Sequence, residues 1–264
     1  MNNYTKENKR AWEEAFEKRS KNFDETTLKR LTQNPSSMFT KNLKNALKND
    51  AKNDKILAQF CCNNGRETMA ALSFGYQEVF GFDIAENMVH FANQTAQTNH
   101  LKATFIAKDL LLLKENLYTF DTALLTVGAL CWFKDLNALF SSIASTLKKG
   151  ARIIIEDMHP FCNMLAEKED KLFNKNHPML PVINYFKDTP WIENSGMGYM
   201  TEDYYESSTF ISYSHTFSAI LNALTNNNFV IKTLVESDID QANLFGHLDQ
   251  KGYPLTYLLV AEKQ

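Results

Sequence analysis

The chain has 264 residues, of which 44% are hydrophobic and 22% charged, with a formal net charge of −3. That balance excludes an intrinsically disordered chain and lacks the basic excess of a dedicated nucleic-acid binder. The length suits one elaborated domain, or a core with a small cap.

The N-terminal stretch through Lys55 is rich in Lys and Asn, which reads as a solvated helical face. A helix is predicted from Tyr4 to Ser20, with Trp12 and Phe16 at i, i+4 on one face. A second runs from Ser37 to Asn49 and carries Leu43, Ala46 and Leu47 on one side. Asn34-Pro35-Ser36 forms the turn between them, with Ser36 or Ser37 as the helix cap.

Strands and helices then alternate. Lys55 to Cys61 reads as a buried strand and Asn63-Asn64-Gly65 as a turn. A helix runs from Arg66 to about Phe74 and ends at Gly75. A strand over Glu78–Asp83 leads to a helix over Ala85–Thr98, and Ala103–Ile106 is a third strand. Phe120–Leu125 is a fourth, followed by a helix over Leu136–Leu147 that ends in the basic turn Lys148-Lys149-Gly150. Ala151–Glu156 is a fifth strand. From His159 to Tyr205 the rhythm lapses. It returns as a strand near Ser208–Tyr213, a helix over Thr216–Asn226, and strands at Phe229–Glu236 and Leu255–Ala261. Such alternation predicts a parallel sheet covered on both faces.

No apolar run reaches the ~18 residues of a membrane helix. The longest, Thr122 to Phe133, is broken by Gly128. The N-terminus, starting Met1-Asn2-Asn3-Tyr4, has no apolar segment fit for a signal peptide. Cys61, Cys62, Cys131 and Cys162 include no CxxC pair for zinc, so reduced thiols in a cytoplasmic protein without a metal site are expected.

In a doubly wound sheet, ligands sit at the carboxyl ends of the strands. Asn and Gly in the turn 63–65 tolerate the positive φ needed where backbone presses on a ligand. No G-x-G-x-x-G is present, which argues against a dinucleotide fingerprint. Asp83 closes the second strand 18 residues after Gly65. Its carboxylate can accept from both ribose hydroxyls of an adenosine, or cap the next helix, or both. Asp109, after the third strand, can accept from an adenine amino group or act as a simple cap.

The order Asn63-Asn64-Gly65-Arg66-Glu67, then Gly81-Phe82-Asp83-Ile84-Ala85-Glu86-Asn87-Met88, then Ala107-Lys108-Asp109, resembles the successive cofactor-binding motifs of class I S-adenosylmethionine (SAM)-dependent methyltransferases. Phe120-Asp121, Leu147-Lys148-Lys149-Gly150 and Phe229-Val230-Ile231 are similar to that family's later strand openings. The similarity spans roughly Ile56 to Ile155, with a looser likeness in the C-terminal strands. It implies a Rossmann-like α/β fold with a seven-stranded, mostly parallel sheet and helices on both faces. Around that core (55–158, completed by 214–264) stand an N-terminal helical extension (1–54) and a cap inserted after the fifth strand (159–213).

The resemblance further implies SAM as cofactor, with S-adenosylhomocysteine as product. The implied cofactor-binding residues are Gln59, Cys61, Asn63, Gly65, Asp83, Ile84, Met88, Asp109, Leu110, Thr126 and Gly128. The first motif departs from the family pattern. Gln59 stands where the family carries an acid that helps hold the methionine amino group, and Cys61 and Asn63 replace its first two glycines. The loop after the fourth strand, Leu125 to Trp132, should line the active site. Trp132 either walls the pocket or packs in the core. Methyl transfer needs an in-line arrangement, so positioning supplies much of the rate. A base can assist, and His159, His215 and Tyr213 are the candidates, each also readable as structural.

The cap's aromatics, Phe161, Phe173, Tyr185, Phe186, Trp191, Tyr199, Tyr204, Tyr205 and Phe210, suggest a closed pocket for a small-molecule acceptor with an O, N or C acceptor atom. The alternatives are an RNA or protein methyltransferase and a non-catalytic SAM- or nucleoside-binding protein. The expected protein is cytoplasmic, away from membranes and nucleic acid, and a monomer or homodimer.

Overall fold

In a computed structural model the protein is described over residues 3–113, 118–201 and 205–264. Helices α1 (Asn3–Glu17), α2 (Lys21–Gln33) and α3 (Lys41–Asp50) precede the sheet. The core elements follow as β1 (Ile56–Phe60), α4 (Arg66–Ala71), β2 (Glu78–Asp83), α5 (Glu86–Thr98), β3 (Ala103–Ala107), β4 (Phe120–Leu125), α6 (Leu136–Ser145) and β5 (Leu147–Met158). After them come β6 (Trp191–Glu193), α7 (Gly198–Thr201), β7 (Phe210–Ser212), α8 (Phe217–Asn226), β8 (Phe229–Ser237) and β9 (Thr256–Lys263). The sheet order is β3-β2-β1-β4-β5-β9-β8. Strands β1 to β5 pair in parallel, and β9 runs antiparallel to both β5 and β8. Among the described residues no helix is long and apolar enough to cross a membrane.

Both faces of the sheet are covered, which is why its central strands read as continuous apolar runs. Ile153, Ile154 and Ile155 of β5 are all fully buried. One face packs Leu139, Phe140 and Ile143 of α6 with Ile220 and Leu224 of α8. The other packs Leu43 and Leu47 of α3, Met69 of α4, and Val89 and Ala92 of α5 around Phe105.

Several elements differ from the sequence expectation. Helix α2 occupies the stretch between the first predicted helix and the turn at 34–36, to which the sequence reading assigns no element. Its buried stripe is only Phe23, Thr27 and Leu31, too thin and too polar to stand out. Ser36 and Ser37 lie in a 3-10 turn, and Thr40 caps α3 by accepting from the Leu43 amide at 3.0 Å. Leu147–Gly150 is not a helix end. Leu147 pairs with Phe120, and the segment opens β5. The strand expected near Ser208–Tyr213 is β7, which pairs antiparallel with β6 in a separate two-stranded ribbon. Nor does α1 stand apart from the rest. The Asn8 amide exchanges two hydrogen bonds with the Ile211 backbone, at 2.7 and 2.8 Å, and ties α1 to β7.

Glu156 lies buried on β5 and accepts a hydrogen bond from the Thr40 hydroxyl. Burial pushes its carboxyl up to about 7. The folded value lies above the ordinary carboxylate value, so Glu156 favours folding at low pH, and that contribution is lost as pH rises through about 7. Glu156→Gln is therefore expected to raise stability at pH 8, by up to about 3 kcal/mol, and to change it little at pH 4.5. Urea denaturation at the two pH values checks this. Equal shifts at both would show that ionisation of Glu156 costs the fold nothing.

Candidate active site

The candidate residues converge on the carboxyl ends of β1 to β5. In the turn after β1, three alternate residues are left-handed: Cys61 (φ 58°), Asn63 (φ 52°) and Gly65 (φ 75°). These are the positions where the family pattern carries glycines, so the backbone shape persists although two of the glycines do not. Asn is among the side chains that tolerate this conformation, whereas Cys61 pays a steric penalty for it. Gly65 has a different reason to be glycine. A Cβ there would lie 2.4 Å from the Phe105 ring and 2.9 Å from the Cβ of Ala92. Its constraint is close packing of the turn on β3 and α5, not the approach of a ligand.

Asp83 ends β2 and grips that turn. It accepts from the Asn63 amide at 2.7 Å and the Ala85 amide at 3.1 Å, the second holding the start of α5. Burial pushes its carboxyl up to about 6, against the pull of those backbone donors. Asp109 accepts from the Leu111 amide at 3.0 Å through one oxygen. Its other oxygen is buried and finds no partner among the described residues. Among the described residues, both side-chain polar atoms of the fully buried Asn64 likewise lack partners. Ile84 keeps partial exposure beside Asp83. Met88 and Leu110, expected at the cofactor, are buried in core clusters, Met88 among Phe16, Phe23 and Met200.

In the loop after β4, Gly128 has a φ of 86°, and nothing lies within 4 Å of where its Cβ would stand. The open space lies on the ligand side of the sheet. Gly128 and Leu130 donate their amides to Asp157 at 2.7 and 3.3 Å. Trp132 lies half-buried in this loop, packed against Trp12 of α1 at 5.2 Å and Phe210 of β7 at 5.9 Å.

Two of the three candidate bases reach this loop. The Tyr213 amide donates to the Cys131 carbonyl at 2.8 Å, and its ring meets Tyr4 at 5.5 Å. His215 donates from Nε2 to the Phe133 carbonyl at 2.9 Å, and burial lowers its pKa. His159 is not brought to them. Its Nδ1 accepts from the Phe161 amide at 3.0 Å and its Nε2 donates to Glu236 at 2.8 Å. With both nitrogens engaged it has no lone pair to offer, and it acts as a cap. Trp191 donates to the Ser214 hydroxyl at 2.9 Å beneath the ammonium of Lys187.

The region from residue 58 to 150 matches the family model for a methyltransferase domain. Residues 58–150 are a methyltransferase domain. Its fold is that of the class I SAM-dependent methyltransferases, as the solved structures agree. A SAM-dependent methyltransferase from Mesorhizobium loti is 20% identical, with a TM-score of 0.60 over 83% of this chain and 96% of that one. Magnesium protoporphyrin IX methyltransferase from Synechocystis PCC 6803, solved with bound SAH, is 17% identical, with a TM-score of 0.52 over 96% and 93%. Geranyl diphosphate C-methyltransferase from Streptomyces coelicolor A3(2) is 16% identical, with a TM-score of 0.54 over 84% and 74%. No curated protein sequence matches this chain.

Only part of the inserted segment lies over the strand ends of the methyltransferase domain. Phe161 stacks on Tyr253, Phe173 meets His247, and Phe186 is exposed. These aromatics of the inserted segment do not line the site, and Tyr204 lies outside the described residues. The cover comes from α7 and β7, which belong to that segment and carry Tyr199 and Phe210, together with α1. Trp12 and Phe210 press on Trp132, and the Tyr199 hydroxyl accepts from the Asn63 amide group at 3.1 Å. Glu13 accepts from the Glu86 amide at 3.0 Å, which binds α1 to α5. Sequence reasoning also missed Asp157, although a carboxylate at the end of an apolar strand is the same pattern that marked Asp83.

Proposed function

We propose that this protein moves the methyl group of SAM to an O, N or C atom of a small molecule. The observation that carries the cofactor is the buried oxygen of Asp109, without a partner among the described residues, one strand away from Asp83. The pair offers an acceptor for an adenine amino group and a carboxylate for ribose hydroxyls. Gln59, Cys61, Asn63, Gly65, Ile84, Thr126 and Gly128 form the surrounding turns, with Met88 and Leu110 packed beneath. SAM supplies an activated methyl on a sulfonium. The chain's residues bind and orient the reactants and exclude water.

Three features support a small acceptor. The cover of α1, α7 and β7 closes over the loop after β4. The net charge of −3 gives no basic track for RNA. The porphyrin and geranyl diphosphate enzymes are fold relatives that act on small molecules. Within this reading Trp132 walls the pocket, Tyr213 and His215 position the loop or accept a proton at the acceptor, and Trp191 braces the cap. His159 contributes stability. The four cysteines are unpaired, which supports a cytoplasmic setting.

Native mass spectrometry of the purified protein, with calorimetry against SAM and S-adenosylhomocysteine, tests the cofactor. Failure to bind either would end the reading, and binding without transfer across a broad panel of small acceptors would point to a binding module. His215→Ala is expected to lower transfer by roughly ten- to a hundred-fold through misplacement of the loop, with S-adenosylhomocysteine affinity near wild type. Parallel loss of affinity and thermal stability would show His215 to be scaffold.

A further inference from the structure

The methionine end of SAM carries an ammonium group, and recognition of an ammonium calls for an anionic acceptor. The usual acid on the first strand is Gln59 here, and it is fully buried. Its carbonyl oxygen accepts the Thr68 hydroxyl at 2.7 Å. Its amide nitrogen donates to Thr126 Oγ1 at 3.0 Å and to Glu67 Oε2 at 3.2 Å. A carboxamide held this way has both donors and its carbonyl committed inside the chain and brings no charge.

The charge in this network belongs to Glu67. Its Oε2 also accepts from the Thr126 hydroxyl at 2.8 Å, so two neutral donors hold one carboxylate oxygen at the ends of β1 and β4. Among the described residues the other oxygen meets only Arg66, at 3.5 Å on a partly exposed side chain. A surface pair of that kind is a weak competitor for a ligand cation. The Glu67 side chain stays 20% exposed, so this second oxygen can meet a ligand, unlike Gln59.

We propose that Glu67 is the anionic partner of the cofactor's ammonium group, the acid having moved from β1 to α4. Gln59 and Thr126 are then positioning residues that aim its carboxylate. This inference rests on SAM being the cofactor.

Calorimetry on wild type and Glu67→Gln tests it with two ligands: S-adenosylhomocysteine, which carries the ammonium, and 5′-methylthioadenosine, which lacks the whole amino-acid portion. The glutamine carbonyl can still accept from Gln59 and Thr126, so the network and fold should survive, as an unchanged unfolding midpoint without ligand would show. The variant is expected to bind S-adenosylhomocysteine roughly ten- to a hundred-fold more weakly and 5′-methylthioadenosine as wild type does. Unchanged S-adenosylhomocysteine affinity, or an equal loss for both ligands, overturns the role of Glu67. If wild type binds neither ligand, the cofactor reading fails first.

Discussion

Asp83→Ala is expected to weaken S-adenosylhomocysteine binding by roughly ten- to a hundred-fold, the usual loss when a hydrogen bond to a charged acceptor is removed. The true loss should sit at the upper end, because Asp83 does two things at once. It faces the ligand side at the end of β2, and it fixes the turn by accepting from the Asn63 amide at 2.7 Å. Removing it frees the turn as well as the acceptor. Burial has pushed this carboxyl up to about 6. The ionised form is the one that accepts from two hydroxyls, so wild-type affinity should hold above pH 7. It should fall by up to roughly tenfold per pH unit below 6. The alanine variant should show no such step. Calorimetry from pH 5 to 8 checks both, and equal affinity in the two proteins at pH 8 would remove Asp83 from the site.

Gly65→Val is expected to destabilise the fold by about 3–5 kcal/mol, combining overpacking with a left-handed backbone imposed on a β-branched residue. The added Cβ would meet the Phe105 ring at 2.4 Å, deep in the second core. In a chain of this size the melting temperature should fall by roughly 10 °C or more. Cofactor binding is then lost because the turn is displaced, more than in Cys61→Ala, which removes a small side chain and leaves the packing alone. Scanning calorimetry decides between the two. A variant that melts like wild type yet fails to bind would mean that Gly65 faces the ligand after all.

How much was legible follows from particular residues. The limits of β2 and β4 coincide with the expected ones, since each is an apolar run closed by a turn former or an acid. Asp83 and Asp109 were visible because a carboxylate just past such a run has few other reasons to be there. The partner of His159 was not visible, since Glu236 lies 77 residues away on β8, two strands over from the end of β5. The basic turn ending at Gly150 matches a helix C-terminus locally, but pairing of Leu147 with Phe120 draws it into the sheet. The missing acid at Gln59 could be read directly. The carboxylate of Glu67 beside it could not, because its reach depends on the first turn of α4.

The sequence by itself determined the α/β alternation, the family likeness and which acids stand at the strand ends, because these depend on periodicity and short-range spacing. The tertiary structure alone decided what roofs the site and which side chains are already spent on one another. Trp12 meets Trp132 and Phe210 from three distant segments, and Gln59 is occupied by Thr68, Thr126 and Glu67. Hydrogen bonds and ring contacts of that kind depend on distances in space, which spacing along the chain does not encode.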